Sequence, residues 1–309
     1  MKELAILKKE LPPGATMVSN SEVDTFLTCM KKWFFAFILN KEPIKKSRSL
    51  SIGIIMHEIL AEFYRGRMHG LDKQQAYQLA MVLLTKHFKE AKDYEPLAVV
   101  QGLFVRYVEQ ETIAETSEIL AVEEDFYLPF TDEIWYAMRL DLLVRSLRGR
   151  SSGLINLVDH KTTYDFYTVD DLALNPQTPK YVGALRFNGV PVEDGYLNQF
   201  RTRFPAHLIP KKTDGDLFKL DKTETTPKRI QNSFRQQVIA SERIIAMRKL
   251  PMELQVQEAI PIMNRMVCRN CPFKLPCQMS EDGVNIGSVM NSQFMDRTYG
   301  YKVIEDGTT

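Results

Sequence analysis

The stretch Leu154-Ile-Asn-Leu-Val-Asp159-His160-Lys161-Thr-Thr163 decides how this chain folds. It follows a polar, glycine-containing break from Arg148 to Gly153 and carries apolar and β-branched residues, the pattern of a buried strand. Alternation along a strand sets Asp159 and Lys161 on one face and His160 on the other. A carboxylate and an ammonium are thereby held side by side at the end of a rigid element. The pair suits a phosphodiester, with the carboxylate binding a divalent cation while the lysine orients a water or neutralises charge on a phosphorane-like transition state. Asp-x-Lys also describes a solvated surface ion pair, so its weight rests on what converges on it.

Upstream, Glu118 to Phe130 and Ile134 to Ser146 have the period of two expected of strands. The second embeds Asp141 among Leu140, Leu142, Leu143 and Val144, where a buried, unpaired carboxylate would cost several kcal/mol. A cation therefore belongs beside it, either a metal shared with Asp159 or the ammonium of Lys161. Further upstream, Gly53-Ile-Ile-Met-His57 opens a helical pattern reaching Tyr64, with Gly53 and His57 on one face. Glycine there costs about 1 kcal/mol but admits a close neighbour. His57 reads as a ligand or as a hydrogen-bonded core histidine; a zincin motif is excluded because position 61 is Ala61. Ser19 or Ser21 caps an earlier helix carrying Val23, Phe26, Leu27, Cys29 and Met30. Lys73 to Lys92 and Leu97 to Ser117 read as amphipathic helices, so the first third of the chain is largely helical.

Downstream, Asn175 caps a helix with Pro176 at its first position, Gln177 and Tyr181 one turn apart, and an end at Asn188-Gly189. A strand over Gly195 to Arg203 and a long helix from Pro227 to about Lys249 follow. The order helix, strand, strand, strand, helix, strand is that of an α/β fold with a small mixed sheet flanked by helices. The divisions read as a helical region over 1–117, a core over 118–210, and a segment over 211–309 with a helix, three cysteines and a tail. The tail from Glu281 to Thr309 carries no interpretable motif.

With 309 residues, 44% of them hydrophobic and 26% charged, the composition is that of a soluble globular protein. No apolar run nears the ~20 residues of a membrane span and no secretion signal opens the chain, so a cytoplasmic protein without a membrane partner is expected. A net charge of +1 provides no global basic field. Local groups exist, Lys31, Lys32, Lys41, Lys45, Lys46 and Arg48 in one and Arg201, Arg203, Lys211 and Lys212 in another, and they gain meaning only beside a site. No Gly-x4-Gly-Lys-Ser/Thr occurs, so ATP-driven unwinding would have to come from a partner.

The sharpest local signal is Cys268-Arg-Asn-Cys271-Pro-Phe-Lys-Leu-Pro-Cys277. Cys29 is the remaining cysteine of the protein. In a cytoplasmic chain Cys-x2-Cys points to metal or redox use rather than to disulfides. Four thiolates suit a structural zinc or an iron-sulfur cluster. The spacing, with one distant N-terminal partner, departs from the paired cysteines of zinc ribbons and favours a cubane 4Fe-4S cluster, with zinc the alternative. Such a cluster would clasp the two ends of the chain.

Taken together, these residues resemble the RecB-like branch of the PD-(D/E)XK nucleases, and especially its iron-sulfur members, the four-cysteine CRISPR-associated exonucleases and the nuclease domains of AddB-type repair proteins. The resemblance runs from about Ser19 to Cys277. Gly53-x3-His57 is similar to the family's metal-binding helix, Asp141 to its second motif, Asp159-His160-Lys161 to its third, Gln177-x3-Tyr181 to its Gln-x3-Tyr motif, and the four cysteines to its cluster ligands. One departure is Met138, where the family usually has a glycine three residues before the second-motif acid. The resemblance implies a restriction-endonuclease-like core with a helical N-terminal region and a C-terminal iron-sulfur module. It further implies that His57, Asp141, Asp159 and the backbone carbonyl of His160 bind Mg²⁺ or Mn²⁺, that Lys161 positions or activates the attacking water, and that Gln177 and Tyr181 steer DNA. The implied activity is exonucleolytic, on single strands or ends, with protein partners in repair, recombination or CRISPR adaptation. An alternative from another class is a DNA-binding or adaptor module with a vestigial nuclease site.

Overall fold

The structure, a computed structural model, describes residues 11–297 except Pro13, Lys92, Pro176, Glu224 and Thr225. Pro176, read above as the first residue of a helix, thus lies outside the described residues, as do residues 298–309 of the tail. Among the described residues two compact units interleave along the chain: one holds residues 47–126 and 139–234, the other residues 11–46, 127–138 and 235–297. All four cysteines belong to the second, and we call the two the sheet unit and the cysteine unit.

The cysteine unit opens with β1 (Thr16–Ser19) and α1 (Asn20–Thr28). Ser19 is the cap, its hydroxyl accepting from the Glu22 amide at 3.2 Å. Thr25 and Thr28 turn their hydroxyls onto carbonyls four residues back, a competition that weakens the helix end. Cys29 accordingly sits in extended backbone between α1 and α2 (Met30–Trp33), not on the helix where the periodicity placed it. A wide turn, Phe34–Ile38, and β2 (Lys41–Pro43) follow.

The sheet unit begins with α3 (Arg48–Met68), α4 (Lys73–Glu90), α5 (Glu95–Gln110) and the short α6 (Ile113–Thr116). Ser47 caps α3, and Asp72 with Gln75 forms a capping box on α4. Ile52, Met56, Ile59 and Phe63 of α3 pack with Ala80 and Leu84 of α4 and with Val100, Leu103 and Phe104 of α5. Each large apolar side chain removed from water contributes about 1.5–3 kcal/mol. The sheet then forms from β3 (Ser117–Pro129), β4 (Ile134–Ser146), β5 (Ile155–Thr163), β6 (Val192–Arg201) and β7 (Phe218–Thr223). β3 pairs with β4, β4 runs antiparallel to β5, β5 parallel to β6, and β6 antiparallel to β7. This is the mixed sheet flanked by helices that the element order implies.

A parallel pair needs a crossover, and α7 (Val169–Leu174) with α8 (Gln177–Phe187) supplies it between β5 and β6. β6 begins at Val192 rather than at Gly195, which lies inside the strand. A Cβ on Gly195 would fall 1.9 Å from Thr178 Cγ2, so its absence is what lets α8 settle on the sheet. Gly53, expected to admit another backbone or a ligand, faces a side chain instead: a Cβ there would stand 3.2 Å from Thr162 Oγ1 on β5. After the one-turn α9 (Asp214–Leu217), β7 alternates Phe218 and Leu220 with Lys219 and Asp221 at the end of the strand order, a charged edge the sequence reading passed over.

The remaining elements are α10 (Pro227–Arg248), α11 (Met252–Glu258), α12 (Arg265–Arg269), α13 (Lys274–Glu281), α14 (Gly287–Gln293) and β8 (Phe294–Asp296). Within the cysteine unit, β1 pairs in parallel with residues 134–137 of β4. The buried Glu22 carboxylate accepts from Arg248 at 2.6 Å and from Trp33 Nε1 at 2.9 Å, so its charge is fully partnered. β2 pairs with β8, and Phe273 stacks on Phe294 at 4.9 Å between ring centres. Part of the tail without a motif is therefore a strand. No helix among the described residues is long and apolar enough to cross a membrane.

Candidate functional site

The end of β5 delivers its side chains as alternation requires. Asp159 is 3% exposed, and Lys161 Nζ lies 3.5 Å from its Oδ2. Gln177, on the first turn of α8, joins the two: its Nε2 donates to Asp159 Oδ1 and its Oε1 accepts from Lys161 Nζ, each at 2.8 Å. The Asn175 side chain accepts from the Gln177 amide at 2.9 Å, fixing the start of that helix. Tyr181, one turn on, is buried. His160 faces the opposite way, stacked on Tyr64 at 5.5 Å, with Nδ1 3.1 Å from Asn198 Nδ2. Burial, and then the charge of His57, lowers its pKa to about 3, so it is a neutral packing group whose side chain does not share the face of Asp159.

Asp141 reaches the same place because β4 and β5 part there. Their register runs from Arg145↔Ile155 to Leu142↔Val158, and the His160 amide is then taken by Asp141 Oδ2 at 2.7 Å. The cation beside Asp141 is His57 of α3, whose Nδ1 lies 3.5 Å from that oxygen. Lys161 pairs with Asp159 instead. A residue the sequence reading missed completes the group: Glu123 of β3, with Oε1 3.0 Å from His57 Nδ1. Among the described residues, His57, Glu123 and Asp141 are the metal-capable trio with ligand atoms within 4.8 Å of one another. The available signal was the run Glu123-Glu124-Asp125 in a strand read only for its alternation.

The electrostatics describe a site short of positive charge. Burial holds the Asp141 carboxyl well above the ordinary carboxylate range, and the Asp159 charge raises it further. Burial alone would lower the His57 pKa, but Asp141 and Glu123 outweigh it and raise it to about 9. Burial likewise opposes the charge of Lys161, and Asp159 and Asp141 more than offset it, so the group is held as an ammonium. Asp159 Oδ2 is buried without a hydrogen bond, its charge met by Lys161 Nζ at 3.5 Å. Two carboxylates and an imidazole with ligand atoms within 4.8 Å of one another are a donor set that fits a hard divalent cation; Asp159 is outside that trio but close enough for its charge to act on Asp141.

The cysteines converge within their own unit. Cys268 is on α12, Cys271 follows it, and Cys277 is on α13; with Cys29 all four are half-buried. Burial raises the Cys277 pKa to about 11, with Cys29 opposing ionisation next, and the Cys271 thiol is raised by burial and by Cys29 and Cys268. Thiols that oppose one another's ionisation are neighbours, and a bound metal or cluster would relieve that opposition by taking the protons' place.

No curated protein matches the chain. The crystal structure of SSO0001 is similar over 87% of either chain, with a TM-score of 0.35 and 11% identity. The model of the family described as the PD-(D/E)XK nuclease superfamily matches residues 17–278, which take in the strand with Asp159 and Lys161, the acid on its neighbour, the helix with His57 and all four cysteines. The chain belongs to the PD-(D/E)XK nuclease superfamily.

Proposed function

We propose that this protein is a divalent-cation-dependent deoxyribonuclease of the RecB-like, iron-sulfur branch, hydrolysing phosphodiester bonds in single-stranded DNA or at DNA ends. The observation that carries the reading is the bridge from Asp159 through Gln177 to Lys161, together with the Asp141–His57 pair. His57, Asp141, Asp159 and the backbone carbonyl of His160 would hold Mg²⁺ or Mn²⁺. When bound, the metal supplies Lewis-acid polarisation of the scissile phosphate and a lowered pKa for a bound water.

The chain's own groups divide the remaining work. Lys161 is held as an ammonium, so it orients the attacking water and neutralises charge gathering on the phosphate rather than removing a proton. Gln177 fixes Asp159 and Lys161 in one geometry, so that little reorganisation accompanies the reaction. With Tyr181 it steers the DNA strand across the face. In the cysteine unit, Cys29, Cys268, Cys271 and Cys277 hold a structural 4Fe-4S cluster. Support for the cluster comes from the mutual electrostatic opposition of the thiols and their Cys-x2-Cys-x5-Cys spacing.

The test uses anaerobically purified protein on an end-labelled single-stranded oligonucleotide, with Mn²⁺ or EDTA, beside Asp159→Ala. Cleavage by the wild type with Mn²⁺ alone is the expected result. No cleavage of single-stranded, duplex or flapped DNA by cluster-loaded protein would replace the nuclease with a DNA-binding module carrying a vestigial site. Iron and acid-labile sulfide in equal amounts establish the cluster; zinc without sulfide overturns it.

A further inference from the structure

Glu123 stands out in β3 because its backbone has a φ of 46°, the left-handed region that residues with a Cβ seldom occupy. The strand's alternation breaks at the same place: Ala121 and Val122 are buried in succession, and Phe126 and Leu128 then resume the pattern. A single left-handed residue inside a paired strand is a bulge, and a bulge re-aims a side chain. Here it aims the carboxylate at His57 Nδ1, with Asp141 in the same group. Two residues on, Asp125 and Arg139 form a two-pronged ion pair across the strands at 2.7 Å, which pins the register beyond the bulge.

We propose that Glu123 is a cation ligand of this site, a third carboxylate beside Asp141 and Asp159, and that the bulge in β3 exists to deliver it. The inference rests on the metal-dependent reading above and adds a residue outside the motifs that suggested that reading. One observation apart from the backbone points to a cation: the ligand atoms of His57, Glu123 and Asp141, carried on three different elements, lie within 4.8 Å of one another, the spread of a single coordination sphere. A carboxylate kept only to hold His57 would need neither the second acid nor the third.

The experiment compares wild type, Glu123→Gln, Glu123→Gly and Asp159→Asn as full-length, cluster-loaded protein, first stripped with EDTA and then titrated with Mn²⁺. Binding is followed by the electron paramagnetic resonance of free Mn²⁺, and thermal unfolding is measured with and without the ion. The expectation is that Glu123→Gln weakens Mn²⁺ binding roughly 10–100-fold, the range seen when groups that set a metal site are removed. Glu123→Gly should lose the same affinity yet unfold at a higher temperature than wild type in EDTA, since glycine accepts a positive φ and the repulsion is gone. The proposal is overturned if both Glu123 variants bind Mn²⁺ like wild type while Asp159→Asn does not, an outcome that leaves the metal site intact. It is also overturned if they unfold at lower temperature in EDTA with unchanged affinity, the signature of a packing role. Absence of Mn²⁺ binding by the wild type overturns this inference and the metal-dependent reading together.

Discussion

Lys161 and Asp159 are joined through Gln177, so each depends on the others for its position. Lys161→Met and Asp159→Ala should each lower the cleavage rate on the order of 10³-fold, measured in single turnover, because charge stabilisation preset at the reacting phosphate is lost. Gln177→Ala should cost less and act mainly on the rate at saturating DNA, since it removes positioning rather than charge. The titration of the site has a definite sign. His57 has a folded pKa of about 9 against 6.5 unfolded, so the stability it provides is complete below 6.5 and lost as pH rises through 9. Asp141, also raised, loses its contribution in the same direction as it is forced to ionise. Metal-free protein should therefore melt at progressively lower temperature between pH 6.5 and 9. Mn²⁺ should remove that slope, and a flat profile in EDTA would show that neither group is coupled to folding.

At the level of elements, two glycines set the site's dimensions. Gly195→Ala places a Cβ against Thr178 and must push the start of α8, with Gln177, away from β5. Overpacking of this kind costs about 1–3 kcal/mol, to be read from denaturant unfolding, and cleavage should fall with it. Gly53→Ala meets only the Thr162 hydroxyl at 3.2 Å and should be milder. The basic group Arg201, Arg203, Lys211 and Lys212 acquires a place: Arg201 is in register with Thr163, two residues past Lys161, and its guanidinium lies 3.9 Å from the Phe166 ring centre. Arg203 pairs with Asp165 at 2.8 Å, and Lys212 Nζ lies 4.5 Å from the Phe204 ring centre. Under the proposed function, basic groups alternating with rings here would meet a single strand's phosphates and bases. Arg203→Ala should weaken oligonucleotide binding and reduce its salt dependence by about one counterion. An unchanged salt slope would remove Arg203 from the DNA path.

For the molecule as a whole, the acids and Lys161 fall in one compact unit and the cysteines in the other. Under the proposed function, loss of one cluster ligand should therefore be felt first in residues 235–297. Cys277→Ser should abolish iron and sulfide retention and expose that segment to limited proteolysis, while Mn²⁺ binding persists. Loss of Mn²⁺ binding together with the cluster would show that the units do not hold their sites separately. Within the cysteine unit, β1, a strand with no reading from the sequence, pairs with β4 across more than a hundred residues of sequence.

What the sequence determined by itself was whatever depends on near neighbours. Alternation along β5 was enough to put Asp159 and Lys161 on one face and His160 on the other, because side-chain direction in a strand follows from the pleat alone. The cap could be narrowed to Ser19 or Ser21 from the helix itself, the structure choosing Ser19, and Gly53 could be read as a point of close approach from its spacing to His57. The tertiary structure decided what distant residues do to one another. That Asp141 would find His57 rather than Lys161, that Gln177 would bridge Asp159 and Lys161, and that Glu123 would turn through a left-handed bulge into the same group all depend on how helices seat on the sheet. No residue type announces that seating. It follows from packing, where the missing Cβ of Gly195 or the parting of β4 from β5 shifts a side chain by the few ångströms that separate a site from a surface.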